Sequence, residues 1–410
     1  MVKAFNDYRG IPRRATLLIY AGILPALSFG MLYNDLSYFL PDVQGISTTF
    51  MGLVLTVMGL SMVISSIPMG IAADRYGKKR MLIIGNVVAS LVIAMFALTT
   101  NLALLFMAAV LEGVSEAAFS SSSSALLADL AGDEKRTVAF SLSGFLTSIA
   151  SGLGTFVIPL VVVLEDLGFS NKEGHVILYV IVAIMGLSST LLILKLGKIT
   201  PLQKGGGFKS FLPNKSKKVL FRYILSNSMI AVGAGLFVPI MSHWFSLRYG
   251  VPDSISVPVL GVSSILIGVS SLAAPYLARR VGIIRAIVAT QGISMVFMLA
   301  TPLSPEFYSA SAVYTLRSFL MNMAGPLQQS MIMGLVSPDE RGAASGVSSA
   351  LWRLPNSFTV IIGTLLLSEG QLAEPFYLAA LFYAISITMF WFFFRNVRMP
   401  EEKNVVKQDQ

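Results

Sequence analysis

The chain alternates between long apolar stretches and short polar breaks. Runs of about 20 apolar residues, the length a helix needs to cross the hydrocarbon core, lie at 15–40, 46–73, 81–100, 102–128, 138–164, 175–196, 219–247, 255–278, 283–302, 307–336, 343–367 and 375–395. The pattern predicts an all-α integral membrane protein with twelve transmembrane helices. Some runs are longer than a bilayer requires, and tilt or extension past the surface accommodates them. The longest polar break contains Gly205-Gly206-Gly207 and several lysines, and it parts six runs from six. The expected organisation is an N-terminal bundle at 1–197, a cytoplasmic linker at 198–218, a C-terminal bundle at 219–396 and a cytoplasmic tail at 397–410.

Composition agrees with this environment. Of 410 residues, 55% are hydrophobic and 12% charged, about half the charged fraction of a soluble domain. The first run is too long for a signal-peptide core and no Ala-x-Ala site follows it, so it is read as a helix. Of the 30 lysines and arginines, Lys172 and Arg248 fall in loops on one side, Arg317 and Arg353 fall inside runs, and the rest gather on the side of the termini. The positive-inside rule makes that side cytoplasmic, N-in and C-in. The net charge of +9 is thereby accounted for by the inner membrane face, without nucleic acid. Two histidines and no cysteine offer neither disulfides nor a metal site. No nucleophile–base constellation or nucleotide-binding glycine loop is present, which argues against an enzyme or a nucleotide-driven pump, and no cofactor is implied.

The halves align at a constant offset of 205. "AADRYGKKR" at 72–80 falls on "LARRVGIIR" at 277–285, matching Arg75 with Arg280, Gly77 with Gly282 and Arg80 with Arg285. "LAGDEKRTVAFS" at 130–141 falls on "LVSPDERGAASG" at 335–346, and Gly30 falls on Gly235. An even number of helices per half makes the two copies parallel, as in transporters whose halves meet around a central site.

These features resemble the major facilitator superfamily. The most specific piece is the stretch from Gly70 to Arg80, "GIAADRYGKKR", which matches the family's loop signature G-x-x-x-D-R-x-G-[RK]-[RK] at every defined position. Gly77 suits a tight turn, and the basic cluster suits an anionic inner surface. The resemblance implies a fold of two pseudo-symmetric six-helix bundles working by alternating access. It further implies a gating role for Gly70, Asp74, Arg75, Gly77, Lys78 and Lys79, with Asp129 at the end of helix four joining the network. Arg279 replaces the acid in the second copy, so only the first loop is expected to act as a charged latch. Helices one, four, seven and ten are implied to line the cavity.

Ionisable groups at membrane depth are costly, by ~2.5–3.5 kcal/mol on insertion scales. Five stand there: Asp35, Glu112, Glu116, Arg317 and Arg353. Glu112 lies roughly 15 Å from the outer end of helix four, and Glu116, Ser120 and Ser123 share its helical face. Ser121, Ser122 and Ser124 lie off that stripe and are expected to pack. The offset places Glu112 on Arg317 and Ser123 on Gln328, which suggests a Glu112–Arg317 pair that opens and closes with transport. Glu116 falls on Met321 and has no such counterpart, so it is the expected proton carrier. Two carboxylates four residues apart repel and titrate as a coupled unit; the alternative is a static network neutralising Arg317 and Arg353. Asp35, with Tyr38 on its face, suits a second protonation site, a substrate contact or an interfacial acid reaching outer water. Arg353 and Asn356 suit an anionic group or an acid partner, and His243 a structural role.

Drug–proton antiporters of this family carry an arginine on helix four where this chain has Ala109, and a helix-five Gly-Pro pair where it has Gly144, Gly152 and Gly154 with Pro159 apart. Transport itself is untouched by these departures. The leading expectation is proton-coupled export of a small organic compound by a plasma-membrane monomer, its partners being substrate, protons and lipid. A symporter or facilitator of an anionic or zwitterionic solute is the alternative, and a transporter-like sensor without flux a third.

Overall fold

The computed structural model describes residues 10–197, 216–336 and 341–397. The expected linker and tail therefore fall largely outside the described residues. Fourteen α-helices are present among them. They are α1 (Arg13–Ala21), α2 (Ile23–Tyr38), α3 (Thr48–Tyr76), α4 (Lys78–Leu98), α5 (Leu102–Gly154), α6 (Leu160–Asp166), α7 (Asn171–Leu194), α8 (Lys217–Gly235), α9 (Met241–Tyr249), α10 (Asp253–Val281), α11 (Ile283–Ala300), α12 (Phe307–Leu335), α13 (Arg341–Ser368) and α14 (Glu374–Phe394).

Local chemistry sets several starts. The Ser47 hydroxyl accepts from the Phe50 amide ahead of α3, and Asn101 accepts from two amides ahead of α5. Ser170 and Glu173 form a reciprocal capping box at α7. The fourth and fifth apolar runs are not separated by an unwound loop. They are two helical segments that meet at a kink within α5, where Gly132 has non-helical geometry (φ 69°, ψ 173°), and good helix formers carry the chain on from there.

Ten stretches among the described residues are long and apolar enough to cross a membrane. The tenth and eleventh expected spans are helices of 29 and 28 residues outside that set. Polar side chains lower their hydropathy: Arg317, Asn322, Gln328 and Gln329 in α12, Arg353 and Asn356 in α13. The side chains of 341–351 are also outside the described set.

The chain forms two compact units. The first takes in residues up to Lys204 together with Met241–Ile265, and the second takes in Gly205–Ile240 and Leu266 onward. The segment from Met241 to Ile265 belongs to the second sequence repeat, yet it is fastened within the first unit. Ser242 bonds Ser37 at 2.7 Å, and these two serines occupy equivalent positions in the repeats. In the first unit α2 packs on α5 and α7, α4 on α5 and α7, and α3 on α5. In the second, α8 packs on α13 and α14, and α11 on α12 and α14. Apart from the α3–α5 pairing, the second pattern is the first one shifted by a repeat. Each unit has its own apolar core, around Leu18, Leu82, Leu126 and Ile193 in one and Ile284, Ile287, Leu327 and Phe390 in the other.

The repeat is visible in backbone detail. Gly77 (φ 99°) joins α3 to α4 and Gly282 (φ 86°) joins α10 to α11. Each donates its amide to the carbonyl four residues back, Ala73 and Ala278, again 205 apart. Positive φ strains any residue with a Cβ, which explains the glycine at both turns.

Candidate functional site

In the first unit α2, α4, α5 and α7 line a partly open cavity of about 320 Å3, at the lower end of the range for small-molecule sites. Glu112, Glu116, Ser120 and Ser123 line it along α5. Ser28 lines it from α2, and Asn86 and Ser90 from α4. Ser124, expected only to pack, lines it too, whereas Ser122 is wholly buried and Ser121 bonds back to the Ala117 carbonyl. Glu112 is 3% exposed, and its Oε2 has no hydrogen-bond partner among the described atoms. Asn86 was not singled out from sequence. Its amide donates to the Gly186 carbonyl, Ser189 and Thr190, tying α4 to α7 beside the acids.

In the second unit Arg317 is buried on α12. Its guanidinium donates to the Tyr383 hydroxyl of α14 and lies 4.9 Å from the Phe237 ring centroid, a cation–π distance. Gln328, on the same helix, is also buried, and neither its Nε2 nor Arg317 Nε has a partner among the described atoms. Arg353 is exposed, and Asn356 donates to the Ala231 carbonyl at 3.3 Å, joining α13 to α8.

Asp35 does not reach water as an interfacial acid would. It is 0% exposed and accepts from the Tyr179 hydroxyl at 2.8 Å. With His175 and Asp253 it forms a cluster whose facing side-chain nitrogen and oxygen atoms lie within 4.8 Å of one another. The sequence argues against a metal site on the count of two histidines and no cysteine. The tertiary fold supplies two carboxylates to one of them. Tyr38, half-buried, meets the Asp253 backbone.

At the Gly77 loop the lysines make the inter-helix contacts. Lys78 pairs with Asp129 at 2.6 Å, and Lys79 donates to the Leu194 and Gly197 carbonyls at the end of α7, where a cation also meets the helix dipole. Arg75 is exposed over the Tyr76 ring. The Asp74 side chain lies outside the described residues. A Cβ on Gly70 would meet nothing within 4 Å. Both members of the Lys78–Asp129 pair are partly exposed, at 23% and 30%. Lys78→Ala is therefore expected to cost no more than ~1 kcal/mol, read as a small fall in melting temperature that high salt erases. A large, salt-independent fall would show that the pair is more than a surface tie.

The comparisons with known proteins follow this architecture. The Major Facilitator Superfamily matches residues 18–354. The "Uncharacterized MFS-type transporter YqjV" of Bacillus subtilis (strain 168) is 30% identical over 125 residues, which is 30% of this chain and 30% of that protein. "Multidrug resistance protein 2" of the same organism is 20% identical over 95% of this chain and 97% of its own length. Among solved structures, a bacterial homologue of the human lysosomal transporter Spinster superposes with a TM-score of 0.77 at 13% identity, covering 92% of this chain and 96% of that one. The nucleoside transporter NupG superposes with a TM-score of 0.73 at 15% identity, covering 93% and 98%. The repeat, the loop signature, the helix pairing and these similarities converge: the chain belongs to the Major Facilitator Superfamily, as a multi-pass transporter of the plasma membrane.

Proposed function

We propose that the protein exports a small organic compound in exchange for protons, by alternating access of two six-helix bundles with both termini cytoplasmic. The observation that carries this reading is the placement of Glu112 and Glu116 on one wall of the first-unit cavity. Two acids four residues apart on a helix face cannot both ionise in a low-dielectric site without repulsion. Such a pair is suited to exchange one proton between them. Glu116 is the carrier, and Glu112 is the partner of Arg317 in those states of the cycle that bring the repeats' equivalent positions together. Full-length similarity to a multidrug resistance protein supports the direction of transport.

A second reading is symport of an anionic or zwitterionic solute. Buried Arg317, with its Nε unpartnered among the described atoms, favours it, and similarity to structures of a nucleoside transporter and a peptide transporter is compatible with it. Reconstitution in liposomes with an imposed pH gradient separates the two. Antiport gives substrate-driven proton flow opposite to the solute, symport gives flow with it, and binding without flux would sink both.

A further inference from the structure

Both histidines of the chain bond an aspartate of the other sequence repeat. His175 of the first repeat meets Asp253 of the second, and His243 of the second meets Asp42 of the first at 2.6 Å. All four residues lie within the first unit, at the end remote from the Gly77 turn, and they fasten the Met241–Ile265 segment to the first-repeat helices. The contacts are reciprocal under the repeat. His243 bonds Thr48, and the equivalent pair is Tyr38 with Asp253.

The two pairs differ in access to water. Asp42 is an exposed residue whose side chain retains 19% exposure, and its second oxygen accepts from Ser246. Asp35, His175 and Asp253 are sealed, at 0%, 0% and 1%. Each member of that cluster is held from behind. His175 Nδ1 faces the Asn171 carbonyl at 2.8 Å, Asp35 Oδ2 accepts from Tyr179, and Asp253 Oδ1 accepts from the Ser254 amide. Their remaining atoms point together: His175 Nε2 meets Asp253 Oδ2, and Asp35 Oδ1 has no hydrogen-bond partner by geometry among the described residues.

Protons can be counted from this geometry. A carbonyl only accepts, so Nδ1 carries a hydrogen. One further proton sits between Nε2 and Asp253 Oδ2, whichever atom owns it. With that single proton the imidazole and Asp253 sum to zero, and an ionised Asp35 leaves a net negative charge wholly out of water. The other groups facing the cluster are Tyr179 and Tyr38, the Phe39 ring stacked on His175, and backbone. Among the described residues none of these brings a positive charge, and an uncompensated buried charge is strongly disfavoured. A second proton, on Asp35, removes it.

We propose that Asp35, His175 and Asp253 form a proton-binding clasp between the sequence repeats, which takes up protons as it closes and releases them when the Met241–Ile265 segment parts from the first-repeat helices and water enters. Closure then binds between one and two protons more than the open form. The open-to-closed ratio should change by about 10- to 100-fold per pH unit near the midpoint, with acid favouring closure. This claim is separate from the assignment of Glu116, since a chain that moved solute without protons would still show the slope.

The absence of cysteine makes the test direct. Spin labels on cysteines introduced at exposed Thr49 and Arg248 report the separation of the two segments in the full-length protein in nanodiscs, between pH 5.5 and 8.5. The expected result is a short-distance population that falls at least ~10-fold relative to the long one as pH rises through the transition. Asp35→Asn and Asp253→Asn, which carry a fixed neutral amide, should flatten that slope. Tyr179→Phe removes a support without removing a titrating cluster member, so it should move the midpoint and keep the slope, which guards against variants that merely misfold. A pH-independent distribution in the parent protein, or an unchanged slope in both Asn variants, would overturn the proposal. So would Zn2+ or Mn2+ that holds the short distance at pH 8.5 and loses this effect in Asp253→Asn, since the occupant would then be a cation.

Discussion

Alanine at Gly30, or at Gly235, is expected to lower the apparent melting temperature by more than any other single added methyl group on the same helix. A Cβ at Gly30 would lie 2.0 Å from the Ser151 carbonyl oxygen and 2.5 Å from its carbon. A Cβ at Gly235 would lie 2.1 Å from the Asn356 carbonyl oxygen. The obstacle in both cases is helix backbone, which cannot swing aside as a side chain would. The helices must separate instead, α2 from α5 in one unit and α8 from α13 in the other, and the contacts around the crossing are lost together. Overpacking costs ~1–3 kcal/mol where side chains can give, and these sites belong at or above that range. At about 2–4 °C per kcal/mol for a body of roughly 200 residues, a fall of several degrees is expected, compared at one scan rate because unfolding of such proteins is commonly irreversible. Gly70→Ala is the control, since its added Cβ meets nothing within 4 Å and alanine favours the helix. If Gly30→Ala and Gly70→Ala melted together, the close approach of α2 and α5 would be wrong.

These two glycines also show how much of the architecture could be read in advance. Gly30 and Gly235 stand 205 apart, and so do Ser151 and Asn356, the residues they touch. The offset found in sequence is therefore an offset of contacts, and it extends to the turns at Gly77 and Gly282. The stripe on α5 was legible for a related reason: helical periodicity alone puts Glu112, Glu116, Ser120 and Ser123 on one side. What periodicity cannot give is which helix covers that side, so Asn86 went unnoticed although it ties α4 to α7 next to the acids. The same limit hid His175 and Asp253. They lie 78 residues apart in different repeats, and nothing local announces that α10 begins against α7. The offset carried a usable signal here, because it pairs Tyr38 with His243 and Thr48 with Asp253, all of them polar residues near the start or end of a helix. Tyr383 was hidden similarly, since its hydroxyl faces Arg317 from another helix and tyrosines within a span are unremarkable alone.

Glu116→Gln is expected to abolish coupling to the proton gradient while leaving the protein folded and able to equilibrate substrate. Both acids line one cavity, and residues four apart on a helix have Cβ atoms ~5–6 Å apart. At an effective dielectric near 20, two unit charges ~6 Å apart repel by roughly 3 kcal/mol, about a hundredfold in the equilibrium between the doubly and singly charged pair. Glutamine at 116 removes the repulsion and the titrating group but keeps shape and hydrogen-bonding capacity. Uphill transport driven by an imposed pH gradient should then fall at least ~10-fold, whereas counterflow down a substrate gradient should persist. Glu112→Gln should differ. Because the proposed cycle brings Glu112 to Arg317, its loss leaves a buried cation without its acid in those states, so counterflow should slow as well. Ser124→Ala, on the same cavity wall but without charge, should leave the pH dependence in place. Retention of full gradient-driven transport by Glu116→Gln would remove it as the carrier. The same retention with Glu112→Gln also inert would move the coupling site away from α5, and Asp35 and Asp253 would then be the buried carboxylates left in the first unit among the described residues.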